Sequence, residues 1–171
     1  NLKCMMCDLW RSMELKGPGN ERKSGRGFSG RGEMSPDALR NIVNQVSRWG
    51  VKKVVLTGGE PMLRKDIYSL IIHIKSMGMR IDLTTNATTI TSRNVKELLN
   101  TGINGIGISL DGSKASIHDG IRKVKGCYKK TIDGARNLIN FRKGKKPGIS
   151  FVTVIMASNV CDLVNVARLS I

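Results

Sequence analysis

Val51-Lys52-Lys53-Val54-Val55-Leu56-Thr57-Gly58-Gly59-Glu60-Pro61 is a short β-branched run that stops at a glycine pair. The run reads as a strand over Val51–Thr57, and the glycines as the turn that ends it. Upstream, Ser35 and Pro36 open a helix whose apolar stripe is Leu39, Ile42, Val43, Val46 and Trp49, with Gly50 as its stop. Downstream the alternation repeats. Asp66 opens a second helix with Ile67, Leu70, Ile71, Ile74 and Met77 on one face, and Arg80–Thr85 is the next strand. A third helix opens at Thr91 or Ser92 and carries Val95, Leu98 and Leu99 to Gly102, followed by a strand over Ile103–Leu110. A fourth helix covers roughly Tyr128–Phe141, a strand follows at Ile149–Ile155, and a fifth helix begins near Asn159. Strands separated by helices predict parallel pairing through right-handed crossovers. Periodicity leaves a doubly wound sheet and a barrel of βα units both open. In either, ligands bind at the C-terminal ends of the strands.

The chain has 171 residues, enough for one domain, and 40% of them are hydrophobic. No run of eighteen apolar residues predicts a membrane span, and the first residues do not read as a signal peptide, so a cytoplasmic protein is expected. The formal charge of +16 points to an anionic substrate or partner. Ten Lys or Arg lie between Arg122 and Lys146 against the single acid Asp133, which reads first as a solvated helix face with its flanking loops. Aromatics at 4% argue against a stacking platform for single strands. Residues 15–33 are basic, Gly-rich and nearly free of apolar side chains, and read as a flexible loop or lid inside the one domain.

Four polar motifs fall where a ligand would sit. Cys4-Met5-Met6-Cys7 is a close thiol pair, of a kind that binds metal or does redox work in a cytosolic chain. A zinc ribbon would need a second pair, and His73 and His118 stand alone, so a zinc hydrolase lacks two ligands. Thr57-Gly58-Gly59-Glu60-Pro61 lets backbone approach a ligand and sets a carboxylate at the same strand end, suited to an ammonium group. Thr84-Thr85-Asn86 and Ser109-Leu110-Asp111-Gly112 end the next two strands. Each alone is an ordinary turn sequence. Cys127 and Cys161 are isolated and read as plain thiols.

In order and spacing these motifs resemble the radical S-adenosylmethionine (SAM) superfamily, within the branch of the molybdenum-cofactor cyclase, the sulfatase-maturing enzymes and the peptide-modifying relatives. Asn1-Leu2-Lys3-Cys4-Met5-Met6-Cys7 matches the family's CxxxCxxC pattern except for its first cysteine, which is expected immediately before Asn1. Ile117-His118-Asp119-Gly120-Ile121-Arg122 is similar to a further family stretch. The resemblance implies a partial (β/α)6 TIM-like barrel of parallel strands, cut so that the first and last strands are missing. It implies a [4Fe-4S] cluster on Cys4 and Cys7, with SAM chelating the open iron. Met6 would offer backbone to adenine, and Gly58, Gly59, Glu60 and Pro61 would hold the methionyl amino group. Ser109 and Asp111 would contact the ribose or methionyl part, Thr85 and Asn86 would face SAM or substrate, and Arg122 would meet the SAM carboxylate. Reductive cleavage of SAM would give a 5′-deoxyadenosyl radical that abstracts hydrogen from a substrate. A low-potential donor of flavodoxin or ferredoxin type would supply the electron. The alternative from another class is a non-catalytic, basic RNA-binding protein on a degenerate form of this fold, which accounts for the charge but not for the strand-end motifs.

Overall fold

A computed structural model of the chain describes residues 2, 4–7 and 34–169. The predicted loop at 15–33 lies outside the described residues. The elements in order are α1 (Pro36–Arg48), β1 (Lys53–Leu56), α2 (Ile67–Ser76), β2 (Arg80–Thr85), α3 (Val95–Asn100) and β3 (Gly105–Ser109). They continue with α4 (Ala115–Arg122), α5 (Cys127–Phe141), β4 (Gly148–Val152) and α6 (Leu163–Arg168). Short 3-10 turns at Pro61–Leu63 and Val160–Asp162 lie before α2 and α6.

The four strands form one sheet in the order β1-β2-β3-β4, and every pair is parallel. This order separates the two architectures that periodicity leaves open. A right-handed crossover between adjacent parallel strands always sends its helix to the same side. A sheet whose strands follow one another in sequence therefore carries all its helices on one face, which is the arrangement of a βα barrel and not of a doubly wound sheet. Burial follows the same logic. Ile81, Leu83, Ile106 and Ile108 point to the helices and are buried with Leu70, Ile71, Ile74, Val95, Leu98 and Leu138. The alternate residues, among them Val55, Asp82, Thr84, Gly107 and Val152, line the opposite, concave face. The sheet is an open arc, a partial barrel.

Local chemistry explains the boundaries. Ser35 Oγ accepts from the Ala38 N–H, capping α1, and Pro36 occupies the first helical turn. The predicted opening of α3 at Thr91 is instead a turn. There the Asn94 side chain accepts from the Thr91 N–H and donates to the Thr89 carbonyl, and the helix starts at Val95. Three stripe residues differ from expectation. Trp49 is 77% exposed because it lies at the C-cap of α1, beyond the helical repeat; Met77, at the C-cap of α2, is exposed for the same reason, and Ile42 is exposed on α1. Helix α4 has no apolar stripe long enough to be seen in sequence, since only His118 and Ile121 are buried along its eight residues. No helix among the described residues is long and apolar enough to cross a membrane.

Ile106 is at the centre of the packed face. Ile106→Ala is expected to lower unfolding free energy by about 2–5 kcal/mol in urea titrations. Ile42→Ala is expected to stay within about 0.5 kcal/mol of the parent, as surface changes usually do.

Candidate functional site

Parallel strands in sequence order bring the three strand-end motifs to one edge. Thr57–Pro61 leaves β1, Thr85–Asn86 ends β2, Ser109–Asp111 leaves β3, and Val152–Val154 leaves β4. The register aligns these exits, with Thr85 opposite Ile108 and Ser109 opposite Val152.

Glu60 ties the first two exits together. Its side chain is buried, and Oε1 accepts from the Met62 N–H at 3.1 Å and from Thr85 Oγ at 2.7 Å. Oε2 accepts from the Asn86 N–H at 2.8 Å. A carboxylate offers about four lone-pair sites, and three are used by these bonds. Thr85 thus turns toward Glu60 and the helix layer, where its Oγ also accepts from the Ala87 N–H, while its neighbour Thr84 faces the concave side. The Asn86 side chain accepts from the Thr88 N–H and hydroxyl, and its carbonyl accepts from Thr131 Oγ of α5 at 2.8 Å. Ala87 sits at φ 57°, and Gly134 of α5 packs on it so tightly that an added Cβ would meet the Ala87 carbonyl oxygen. Thr131 and Gly134 are positioning residues that sequence reasoning missed. The signal available was a Thr and a Gly one turn apart on the buried face of an otherwise basic helix.

Gly58 and Gly59 lie on the exposed rim. Gly58 has φ 134°, which disfavours any side chain, and nothing stands within 4 Å of where a Cβ would be on either glycine. Open space over bare backbone is the surface a small ligand needs.

The third exit is anchored more deeply. Asp111 is 0% exposed. Its N–H donates to His118 Nδ1, its Oδ1 accepts from the Val154 N–H, and its carbonyl accepts from the buried Asn159 amide. Ser109 lies on the concave face. Arg122, at the end of α4, extends one guanidinium nitrogen to 2.6 Å from Asp111 Oδ2 and another to 3.6 Å from Cys4 Sγ. The Asp111 contact is an ion pair without hydrogen-bond alignment, and Arg122 Nε is buried with no hydrogen-bond partner.

Cys4 and Cys7 share one turn, closed by the Cys7 N–H on the Cys4 carbonyl at 3.1 Å, with Met5 and Met6 at its tip. The Met5 N–H donates to the Ile121 carbonyl, so the turn is fastened to the C-terminal end of α4 beside Arg122. Neither cysteine is in a disulfide. Among the described residues no group of three or more His, Cys, Asp or Glu is placed to hold a metal ion. The donor chemistry nevertheless fits an iron–sulfur centre. Two thiols lie on one loop, a guanidinium faces one sulfur, and a partly unsatisfied buried ion pair stands behind it.

Around this core lie groups with ordinary jobs. Asp119 caps α5 by accepting from the Gly126 and Tyr128 N–H groups. The Cys127 thiol donates to it at 3.3 Å. Burial, then Asp119, pushes the Cys127 thiol up to about 12. Lys129, Lys130 and Arg136 lie exposed on α5, and Lys129 pairs with Asp133 at 2.7 Å, so much of the basic run is a solvated helix face.

A sequence signature described as the Radical SAM superfamily matches residues 1–169. The chain belongs to the radical SAM superfamily. The AdoMet-dependent heme synthase of Oleidesulfovibrio alaskensis is 32% identical over 120 residues, covering 70% of this chain and 29% of that protein. A probable GTP 3′,8-cyclase of Pyrococcus abyssi is 44% identical over 84 residues, covering 49% of this chain and 27% of the cyclase. This radical SAM chain thus spans about a third or less of the length of these curated relatives. Among solved structures, Streptococcus suis SuiB bound to S-adenosylmethionine superposes with a TM-score of 0.73 at 20% identity, over 98% of this chain and 34% of SuiB. Native anSMEcpe with bound AdoMet and the Cp18Cys peptide gives 0.72 at 20% identity, over 98% and 43%. These two show the shared fold, and the open parallel arc is part of a radical SAM barrel. The relatives are named enzymes, and nothing in the comparisons supports the alternative of a non-catalytic RNA-binding protein.

Two outcomes follow from the buried groups. Burial first, and then Arg122, push His118 down to about 4 from its ordinary 6.5, against Asp111 and Asp119. Between those values the unfolded chain binds more protons than the folded one, so stability is lost as pH falls from 6.5 toward 4. Urea midpoints should therefore drop between pH 7 and pH 5, and His118→Gln should shrink the drop. In native protein at pH 8, iodoacetamide followed by peptide mass mapping should label exposed Cys161 and spare Cys127.

Proposed function

We propose that this chain is the catalytic core of an enzyme that cleaves SAM reductively at a [4Fe-4S] cluster. The observation that carries this reading is the convergence at one sheet edge. The Cys4–Cys7 turn is fastened to the end of α4, whose Arg122 faces Asp111 at the exit of β3, and the exits of β1 and β2 open at the same sheet edge. When bound to Cys4 and Cys7, such a cluster would supply the electron for reductive cleavage of SAM, the chemistry by which the family generates a hydrogen-abstracting radical.

The chain's own residues divide the work. Cys4 and Cys7 ligate iron. Met6, before the second of them, offers backbone to the adenine. Gly58 and Gly59 admit the methionyl amino group against bare backbone, and the remaining acceptor site of Glu60, stiffened by Pro61, faces the same charge. Ser109 contacts the ribose or methionyl part from the concave face, with Asp111 fixing its loop. Asn86 and Thr85 act mainly by holding the β2 exit in place, through Glu60 and Thr131. Buried anchors of this kind keep the rim rigid, which matters because a radical reacts with whatever reaches it. Arg122 is held between Asp111 and Cys4.

The relatives are named for haem-pathway, GTP-derived and peptide products. That range supports a substrate in cofactor biosynthesis or peptide modification. The electron comes from a low-potential flavodoxin- or ferredoxin-type donor, and the setting is cytoplasmic. The excess of Lys and Arg favours an anionic substrate or partner.

The test uses the full-length protein that carries this chain. After anaerobic reconstitution with iron and sulfide, dithionite and SAM should yield 5′-deoxyadenosine, read by mass spectrometry. Cys4→Ala and Cys7→Ala should each reduce it at least a hundredfold. Product formation that survives in either variant would remove that cysteine from the cluster.

A further inference from the structure

We propose that Arg122, locked in place by the buried carboxylate of Asp111, is a fixed cation that sets the reduction potential of the iron–sulfur centre held by Cys4. This is a positioning role, and it rests on the cluster-binding reading above.

The geometry is specific. The Arg122 side chain is 11% exposed, and its guanidinium bridges the Asp111 carboxylate at 2.6 Å and the Cys4 sulfur at 3.6 Å. Arginine stays charged at every working pH. A charge shielded from solvent acts at a larger fraction of its vacuum strength than one on the surface. Hydrogen bonds and charges at the sulfurs, together with solvent exposure, are the means by which a protein moves the potential of an iron–sulfur centre. One-electron reduction adds one negative charge and changes no bond, so a cation at the sulfur favours the reduced form and raises the potential.

Asp111 is suited to hold that cation. Its N–H, Oδ1 and carbonyl are each committed to His118, Val154 and Asn159, so the carboxylate cannot follow the arginine away. The guanidinium, not the carboxylate, is the group that meets the Cys4 sulfur, and the negative charge of Asp111 offsets part of its field. His118, the nearest other titratable group on α4, is neutral near pH 7 and adds nothing. Asp119, one residue further along α4, is directed away into the cap of α5.

The measurement is an EPR-monitored redox titration of the reconstituted full-length protein with dithionite, in the absence of SAM. Arg122→Gln should shift the reduction equilibrium about tenfold toward the oxidised form, about 59 mV lower for one electron. Arg122→Lys keeps the charge and should recover most of that shift. Asp111→Asn leaves the guanidinium uncompensated and should move the equilibrium the other way. Opposite signs in Arg122→Gln and Asp111→Asn, at equal iron content, are the signature of a charge pair, and a common direction would mean lost packing and overturn the proposal. If Asp111→Asn does not fold, the Gln and Lys variants still decide. An Arg122→Gln potential within twofold of the parent in the equilibrium, with weakened SAM binding by equilibrium dialysis, would overturn it and assign Arg122 to the SAM carboxylate. A parent protein that binds no cluster would fail at the earlier step, removing the proposed function and this role together.

Discussion

Each crossover in this chain joins neighbouring parallel strands, and nearly everything else follows from that constraint. With the hand fixed, all helices pack on one face and all strand exits open at one edge. The helix face takes the large aliphatic residues, and the concave face is left to small and polar ones such as Thr84, Gly107 and Ser109. Chemistry at the edge then needs no long loops to gather its parts. Residues far apart in sequence meet there, Cys4 and Arg122 among them.

The edge is held by buried carboxylates, not by aliphatic packing. Glu60 joins the exits of β1 and β2, Asp111 joins those of β3 and β4, and Asp162 ties the Ser113 backbone and hydroxyl of the β3 exit to the start of α6. Each accepts from backbone N–H groups that a tight turn would otherwise bury without partners, and such groups are costly to leave unpaired. The roles of Glu60 and Asp111 therefore combine support with chemistry. A carboxylate that fixes two loops is also the one whose remaining acceptor site stays in a constant position.

The strands and most helices were legible because burial on one face imposes a clear period, as at Ile67, Leu70, Ile71 and Ile74. The rim motifs were legible because glycine pairs and short polar runs at strand ends have few other uses in combination. What could not be read was set by contacts distant in sequence. The partner that Thr85 finds on the buried face is Glu60, twenty-five residues earlier. The support given to Asn86 by Thr131 lies forty-five residues later. Helix α4 escaped notice because its buried face is His118 and Ile121 alone, too little apolar surface to show a period. The pairing of Arg122 with the buried Asp111, and its approach to Cys4 more than a hundred residues earlier, were likewise not visible in the sequence.

That pairing is expensive as a source of stability. Taking a carboxylate and a guanidinium out of water costs several kcal/mol per ion, and replacing such a pair by apolar side chains often leaves a fold as stable or more so. Stability alone therefore does not account for a fully buried Asp111 facing Arg122 where Ile or Leu could pack. The arrangement makes sense if the value lies in where the charge is held. The aspartate fixes the arginine, the arginine faces a sulfur, and the backbone bond from Met5 to Ile121 fixes that sulfur's loop to the same helix end. Together these restraints fix Cys4 and Arg122 relative to one another, which the proposed redox role requires and a plain structural thiol does not.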